Sequence, residues 1–160
     1  MIRTVTKDDV PAIAGIYNHY VLHSVITFDT ETVSINEMER KVAAISSHFP
    51  YLVYEDEGKV AGYCYVHQWK EKKAYRRTLE TTIYLSPDYL HRGIGMKLMQ
   101  RLITECRSRG VGALVACITS GNEVSEALHR QLGFEKVSHF RQVGEKFGRL
   151  LDVVDYELIL

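Results

Sequence analysis

The stretch TLETTIYLSPDYLHRGIGMKLMQRL, Thr78 to Leu102, decides the fold. Thr78, Thr82, Ile83 and Tyr84 favour an extended backbone, and Ser86-Pro87-Asp88 ends the strand, because proline has no N–H to give to a ladder. Met99, Leu102, Ile103 and Cys106 then recur at helical spacing, which predicts a helix opening near Gly95. The first amides of a helix have no partner within it, and the aligned peptide dipoles add partial positive charge there, so such an end attracts phosphate oxygens. Gly93 and Gly95 let the main chain approach a ligand with no side chain in the way. Strand, glycine turn and amphipathic helix together imply a diphosphate site.

Two common phosphate motifs do not fit this turn. A Walker loop needs Gly-Lys followed by Ser or Thr, and here Gly95 is followed by Met96-Lys97-Leu98. A dinucleotide fingerprint wants a third glycine where Leu98 stands, and an acidic residue about twenty positions on in a strand context, which is lacking. What remains is a basic Gly-x-Gly turn joining a strand to a helix.

A chain of 160 residues is sized for one domain, 1–160, with a real core. Its formal net charge is zero and its pI about 7.1, which gives no broad electrostatic pull on nucleic acid or an anionic membrane. The basic run from Lys70 to Arg77 is the local exception. Cys64, Cys106 and Cys117 lie in apolar patterns without metal spacing, as reduced thiols of a cytoplasmic protein would. His19 and His23 are spaced for zinc, but no glutamate makes a His-Glu-x-x-His arrangement, so no metal is expected. The amino terminus turns polar too early for a secretory signal, and no apolar run approaches the roughly twenty residues of a membrane span.

Outward from the central segment, Ile2 to Val5 is expected as a first strand. Thr6 and Asp9 then cap a helix that carries Val10, Ile13, Ala14 and Tyr17. Ser34 and Glu37 form a second capping pair, ahead of a helix that Pro50 ends. Tyr51–Tyr54 and Val60–Val66 flank a polar turn and read as a hairpin. Gly110 stops the central helix, Ala113–Ile118 is a buried strand, and Glu123–Leu132 is a helix ending at Gly133. Gly144 to Gly148 then separates two extended stretches. The order implies an α/β fold, a mixed central sheet flanked by helices.

Asn122, Ser125, Leu128, His129, Leu132, Gly133 and Phe134 form Asn-x-x-Ser-x-x-Leu-His-x-x-Leu-Gly-Phe. With the glycine turn before it, this resembles the paired motifs of the GNAT N-acetyltransferases, which use the turn for the pyrophosphate of coenzyme A. Within that superfamily the chain is similar along nearly its whole length to the phosphinothricin and methionine sulfoximine N-acetyltransferases. The similarity is carried by Ile16-Tyr17-Asn18, Thr27-Phe28, Pro50-Tyr51-Leu52-Val53, Trp69-Lys70, Thr78-Leu79-Glu80, and Lys146-Phe147-Gly148 with Asp152. Leu90 departs from the usual glutamine or arginine, with His91 and Arg92 supplying basic character. Leu150 departs from the usual aromatic.

The resemblance implies the GNAT acyl-CoA N-acyltransferase fold and acetyl-CoA as co-substrate, held by main chain at Ile83, Tyr84, Leu85, His91, Arg92, Gly93, Ile94, Gly95 and Met96. It also places Asn122 and Ser125 at the pantetheine arm. Attack on a thioester needs a neutral amine, so a base must take the ammonium proton. The resemblance puts that base at Glu80, whose carboxyl gains proton affinity from partial burial. It puts His129 near the sulfur, as proton donor or as holder of the amine's water. An N–H near Tyr84 or Leu85 is expected to stabilise the developing oxyanion. Phe28, Lys72, Tyr75, Arg76, Thr78 and Thr82 are the acceptor-pocket candidates, the basic ones suited to a carboxylate. A homodimer is implied by resemblance alone. The acceptor reads as a small amino acid or analogue; a polyamine, aminoglycoside or protein N-terminus, and a non-catalytic acyl-CoA-binding module, stay open as alternatives.

Overall fold

Seven strands build one sheet in the order β1-β2-β3-β4-β5-β7-β6 in the computed structural model, which describes residues 1–160. In chain order the elements are β1 (Ile2–Thr4), α1 (Val10–His23), α2 (Ile35–Ser46), β2 (Tyr51–Asp56), β3 (Lys59–Gln68), β4 (Thr78–Leu85), α3 (Ile94–Ser108), β5 (Ala113–Thr119), α4 (Glu123–Gln131), β6 (Glu135–Lys146) and β7 (Arg149–Ile159). Every neighbouring pair is antiparallel except β4 and β5, which are parallel. The crossover between them is α3, the helix that follows the glycine turn.

Period-two alternation sorts side chains to the two faces of the sheet. Leu52 of β2, Cys64 and Val66 of β3, Leu79 of β4, and Leu114 and Ala116 of β5 pack with Leu98, Met99, Leu102 and Cys106 of α3. Their neighbours in sequence, Tyr51, Val53, Tyr63 and Tyr65, pack on the opposite face with Ile13, Tyr17 and Val21 of α1 and with Met38 and Val42 of α2. Three of those tyrosines, at 51, 63 and 65, stack with ring centroids 4.7 to 6.4 Å apart. A sheet buried on both faces leaves its interior strands reachable mainly from their ends or through a break in pairing.

Both capping signals are formed. Glu37 N–H donates to Ser34 Oγ at 3.2 Å while Ser34 N–H donates to Glu37 Oε2 at 2.7 Å. Asp9 accepts from Thr6 N–H at 2.7 Å, and Arg3 donates two further bonds of 2.8 Å to its carboxylate. The Arg3 guanidinium thereby holds the buried Asp9 carboxyl below its ordinary range.

Several boundaries differ: β2 and β3 run on to Asp56 and Gln68, β5 ends at Thr119, and α4 ends at Gln131. The first strand stops at Thr4, the second helix ends at Ser46 ahead of Pro50, and the central helix starts one residue early, at Ile94. The tail hairpin is tighter than the Gly144–Gly148 loop expected from its glycines: β6 runs through Lys146, and only Phe147 and Gly148, with φ of 52° and 69°, make the turn. Both turn residues lie in the left-handed region, as a two-residue hairpin on twisted strands requires.

Candidate active site

β4 and β5 are in register for only three residue pairs, Thr78 with Ala113, Leu79 with Leu114 and Glu80 with Val115. Beyond Glu80 they part, β4 continuing beside β3 to Leu85 and β5 beside β7 to Thr119. The register with β3 fixes which peptide groups are left over. Ser86 N–H donates to Ala61 O, in the same register as the Tyr63–Tyr84 pair, so the even-numbered residues of β4 turn their peptide groups to β3. The N–H groups of Ile83 and Leu85 therefore face the opening. Of the two oxyanion candidates, Tyr84 N–H belongs to the ladder with β3, and Leu85 N–H is the one turned toward the gap. The Leu85 carbonyl is already taken, by the Tyr20 hydroxyl at 2.6 Å.

A cavity of about 430 Å³ fills this opening. Because Glu80, Thr82 and Tyr84 point to one face of the sheet and Thr81, Ile83 and Leu85 to the other, lining by all six makes it a passage through the sheet. Gly95, Leu128, His129, Asn122 and Ser125 line it where α3 and α4 meet; Phe28, Thr27 and Tyr20 line it on the α1 side. Tyr20, Thr27, Cys117 and Thr119 are lining residues that the sequence does not mark as part of the site. Tyr20 continues the buried stripe of α1, and that spacing was the available signal. The strand β5 gave none, since its run of apolar residues does not tell which edge is left unpaired.

At the mouth of the passage, Gly93 caps α3 with φ of 73°, and His91 also adopts a left-handed φ of 60°. The first helical bond is Lys97 N–H to Gly93 O, so the amides of Ile94, Gly95 and Met96 have no partner inside the helix. Gly95 serves packing as well: a Cβ there would stand 3.4 Å from Leu128 and 3.6 Å from Leu85. Arg92 lies over the Tyr89 ring, 4.9 Å from its centroid. Of this segment His91 and Gly95 line the cavity, whereas Arg92, Gly93, Ile94 and Met96 do not.

Glu80 stands where the two strands separate. Burial raises its pKa; His67, whose Nε2 lies 3.8 Å from the carboxylate, pulls the other way, and Asp155 pushes it up again. His129 is 2% exposed. Its Nδ1 lies 2.8 Å from the Ser125 carbonyl, which can only accept, so Nδ1 carries the proton. Nε2 is then a lone-pair acceptor; it is buried and has no hydrogen-bond partner. Burial lowers the His129 pKa, which keeps the ring neutral. An orphaned acceptor costs roughly 1–3 kcal/mol, a penalty that a ligand donor would remove. The arrangement suits holding an N–H or O–H better than giving up a proton. The Asn122 side chain accepts from Ser125 N–H and so caps α4. Cys117 lines the passage, and partial desolvation with the nearby Asp155 and Glu80 charges pushes its thiol up, which disfavours the nucleophilic thiolate.

Lys72, Tyr75, Arg76 and Thr78 do not line the cavity of their own chain. Tyr75 stands edge-on to Trp69 at 5.3 Å, with Lys70 over both rings, so the basic segment is a shaped loop preceding β4. No three His, Cys, Asp or Glu side chains come together in a way that could hold a metal ion, and no helix is long and apolar enough to cross a membrane.

Unpaired strand amides beside an unpaired helix start, with a passage between, fit an extended amide-bearing thioester that ends in a diphosphate. The profile of the acetyltransferase (GNAT) domain matches residues 2–154. The chain belongs to the GNAT acetyltransferases. It is 40% identical to the L-amino acid N-acyltransferase MnaT of Escherichia coli (strain K12), over 99% of this chain and 93% of that protein. It is 39% identical to the L-methionine sulfoximine/L-methionine sulfone acetyltransferase of Salmonella typhimurium, over 99% and 94%. Among solved structures, a phosphinothricin acetyltransferase from Sinorhizobium meliloti in complex with acetyl-CoA superposes with a TM-score of 0.97, at 35% identity and covering 100% of this chain and 88% of that one. The chain is accordingly an acetyl-CoA-dependent N-acetyltransferase of GNAT type.

The positive φ at Gly93 yields a prediction. Alanine there has space but not the backbone conformation, which costs about 1–2 kcal/mol in a residue with a Cβ. Gly93→Ala is expected to raise the Kd for acetyl-CoA about tenfold in isothermal titration, whereas an unchanged Kd would show that this turn does not present its amides to the ligand.

Proposed function

We propose that the whole chain acts as one catalytic unit that acetylates the α-amino group of a small amino acid or analogue, in the class of phosphinothricin, methionine sulfoximine and methionine sulfone. The observation that carries this is the passage itself, with a partly buried carboxylate where β4 and β5 part. The names borne by relatives at 39–40% identity over nearly the full chain support the acceptor class. In this reading the thioester arm lies along the open edge of β4, where Ile83 N–H meets one of its carbonyl groups and Leu85 N–H meets the thioester carbonyl, while its diphosphate meets Ile94–Met96. The acceptor sits on the Phe28 and Thr82 side.

The amine, freed of its proton by Glu80 directly or through one water, attacks the thioester carbonyl. A C–N bond forms, negative charge gathers on the carbonyl oxygen next to Leu85 N–H, and the C–S bond breaks as the oxygen lone pair returns. The thiolate leaves with a proton drawn from solvent or from the amine nitrogen. His129 contributes its Nε2 lone pair as a fixed acceptor that orients an N–H or O–H of the bound substrates. Attack within one ternary complex needs no enzyme nucleophile.

A homodimer accompanies this reading. β6 is one of the two edge strands of the sheet, and Val137, Phe140, Val143, Phe147 and Leu150 of β6 and its hairpin are each more than half exposed. An apolar edge strand invites a second copy. Lys72, Tyr75 and Arg76, which do not line the cavity of their own chain, would then serve a carboxylate bound across the interface. Light scattering should give a dimer for the native chain and a monomer for Phe147→Asp; a native monomer would remove the interface. Three unpaired thiols accord with a cytoplasmic setting.

The decisive experiment is a thiol-release assay with acetyl-CoA and methionine sulfone, methionine sulfoximine and phosphinothricin beside a polyamine, an aminoglycoside and an N-terminal peptide. Turnover confined to the last three acceptors would overturn the acceptor class. Because Glu80 must be ionised to accept a proton, kcat should fall as pH drops through its raised pKa. Glu80→Gln should lower kcat by about a hundredfold or more and abolish that acid limb; a retained limb would exclude Glu80 as the base.

A further inference from the structure

The loop between α1 and α2 carries Thr27 and Phe28 into the cavity and is fastened by side chains of three other elements, α1, β5 and β6. Thr119 Oγ1 donates to Val25 O at 2.8 Å. The Tyr17 hydroxyl bonds both Thr27 Oγ1, at 3.0 Å, and the Asp29 carboxylate. Lys146, a residue only 3% exposed, donates from Nζ to Thr27 O at 2.8 Å, with the Asp29 charge nearby. Two residues earlier on β6, the Phe28 ring rests on Gly144: a Cβ built there would stand 2.2 Å from Cε2 and 2.7 Å from Cζ.

Gly144 has no left-handed φ, so the chain does not require glycine there for conformational reasons. Room for the Phe28 ring is the reason left on the page. β6 reaches the loop through a bulge between Phe140 and Gly144, in which Gln142 adopts φ of 54° and donates its N–H to Asp152 at 2.8 Å. A bulge re-aims the strand that follows it. Asp152 also accepts from, or pairs with, His139 at 2.8 Å.

We propose that Gly144 and Lys146, neither of which lines the cavity, are positioning residues that set the size of the acceptor half by seating Phe28 against β6. A side chain at 144 must displace the ring. The β6 backbone blocks retreat on one side and the Lys146–Thr27 bond fixes the loop's path on the other, so the ring moves into the cavity. Loss of the Lys146 bond instead frees the loop and leaves the ring unseated. The inference rests on the reading above that the acceptor lies on the Phe28 side.

The test compares Gly144→Ala, Lys146→Met, Phe28→Leu and the double variant Gly144→Ala/Phe28→Leu, with the acceptor and acetyl-CoA varied separately. Gly144→Ala should raise the acceptor KM about tenfold and leave the acetyl-CoA KM within about twofold. In the double variant the smaller side chain makes room, so its acceptor KM should fall back to that of Phe28→Leu alone. Multiplying effects, or equal changes in both KM values, would overturn the proposal. If the panel finds an acceptor outside the amino-acid class, the class assignment fails while the same KM split still judges the positioning. Should Gly144→Ala not fold, or no amine turn over, proton NMR of the native chain decides. The Gly144 Hα resonances should be ring-current shifted, and the shift should be lost in both Phe28→Leu and Lys146→Met; its absence in the native chain would contradict the seating.

Discussion

Everything in this structure that bears on acetyl transfer depends on one interruption of hydrogen bonding, the parting of β4 from β5 after Glu80. Buried peptide groups are rarely left unpaired, because each costs free energy comparable to a lost hydrogen bond. Here the interruption sits in the middle of a seven-stranded sheet, so it leaves the Ile83 and Leu85 N–H groups for a ligand to meet, while the Leu85 carbonyl is met by Tyr20. An extended chain bearing amides answers that demand as an eighth strand would. The same interruption joins the two faces of the sheet, which lets a long thioester donor approach from the α3 side and an amine from the α1 side.

The remaining features place charge along that line. The first turn of α3 supplies three unpaired amides, Glu80 supplies a carboxylate of raised proton affinity at the separation point, and His129 supplies a neutral acceptor in the cavity lining. The α3 amides are fixed by the main chain and His129 by a bond to the Ser125 carbonyl, so little conformational entropy is lost at those two groups when substrates bind.

The strand–turn–helix core of the fold was legible because its signals are local: proline after a strand, apolar residues at helical spacing, glycine at the cap. The paired motifs around Gly93 and His129 were legible for the same reason. The tail hairpin was misjudged at Gly144, since a glycine near another glycine resembles a turn. In the fold that residue lies within a strand, and its missing side chain is filled by Phe28 from a segment more than a hundred residues away in sequence. Long-range steric demands of that kind leave no periodic trace. The basic loop from Lys70 to Arg77 shows the same limit, for chain proximity to Glu80 did not settle which way its cations face. For His129 the residue type was readable, but its tautomer and burial follow from α4 packing on the sheet.

The direct measurement of the central claim is amide NMR of the 15N-labelled chain with and without acetyl-CoA. Ile83 and Leu85 N–H, together with Ile94, Gly95 and Met96, should shift and gain protection from hydrogen exchange on binding, while Tyr84 N–H, already bonded to β3, should stay protected throughout. Binding of acetyl-CoA with Ile83 and Leu85 unprotected would contradict a ligand laid along the open edge of β4.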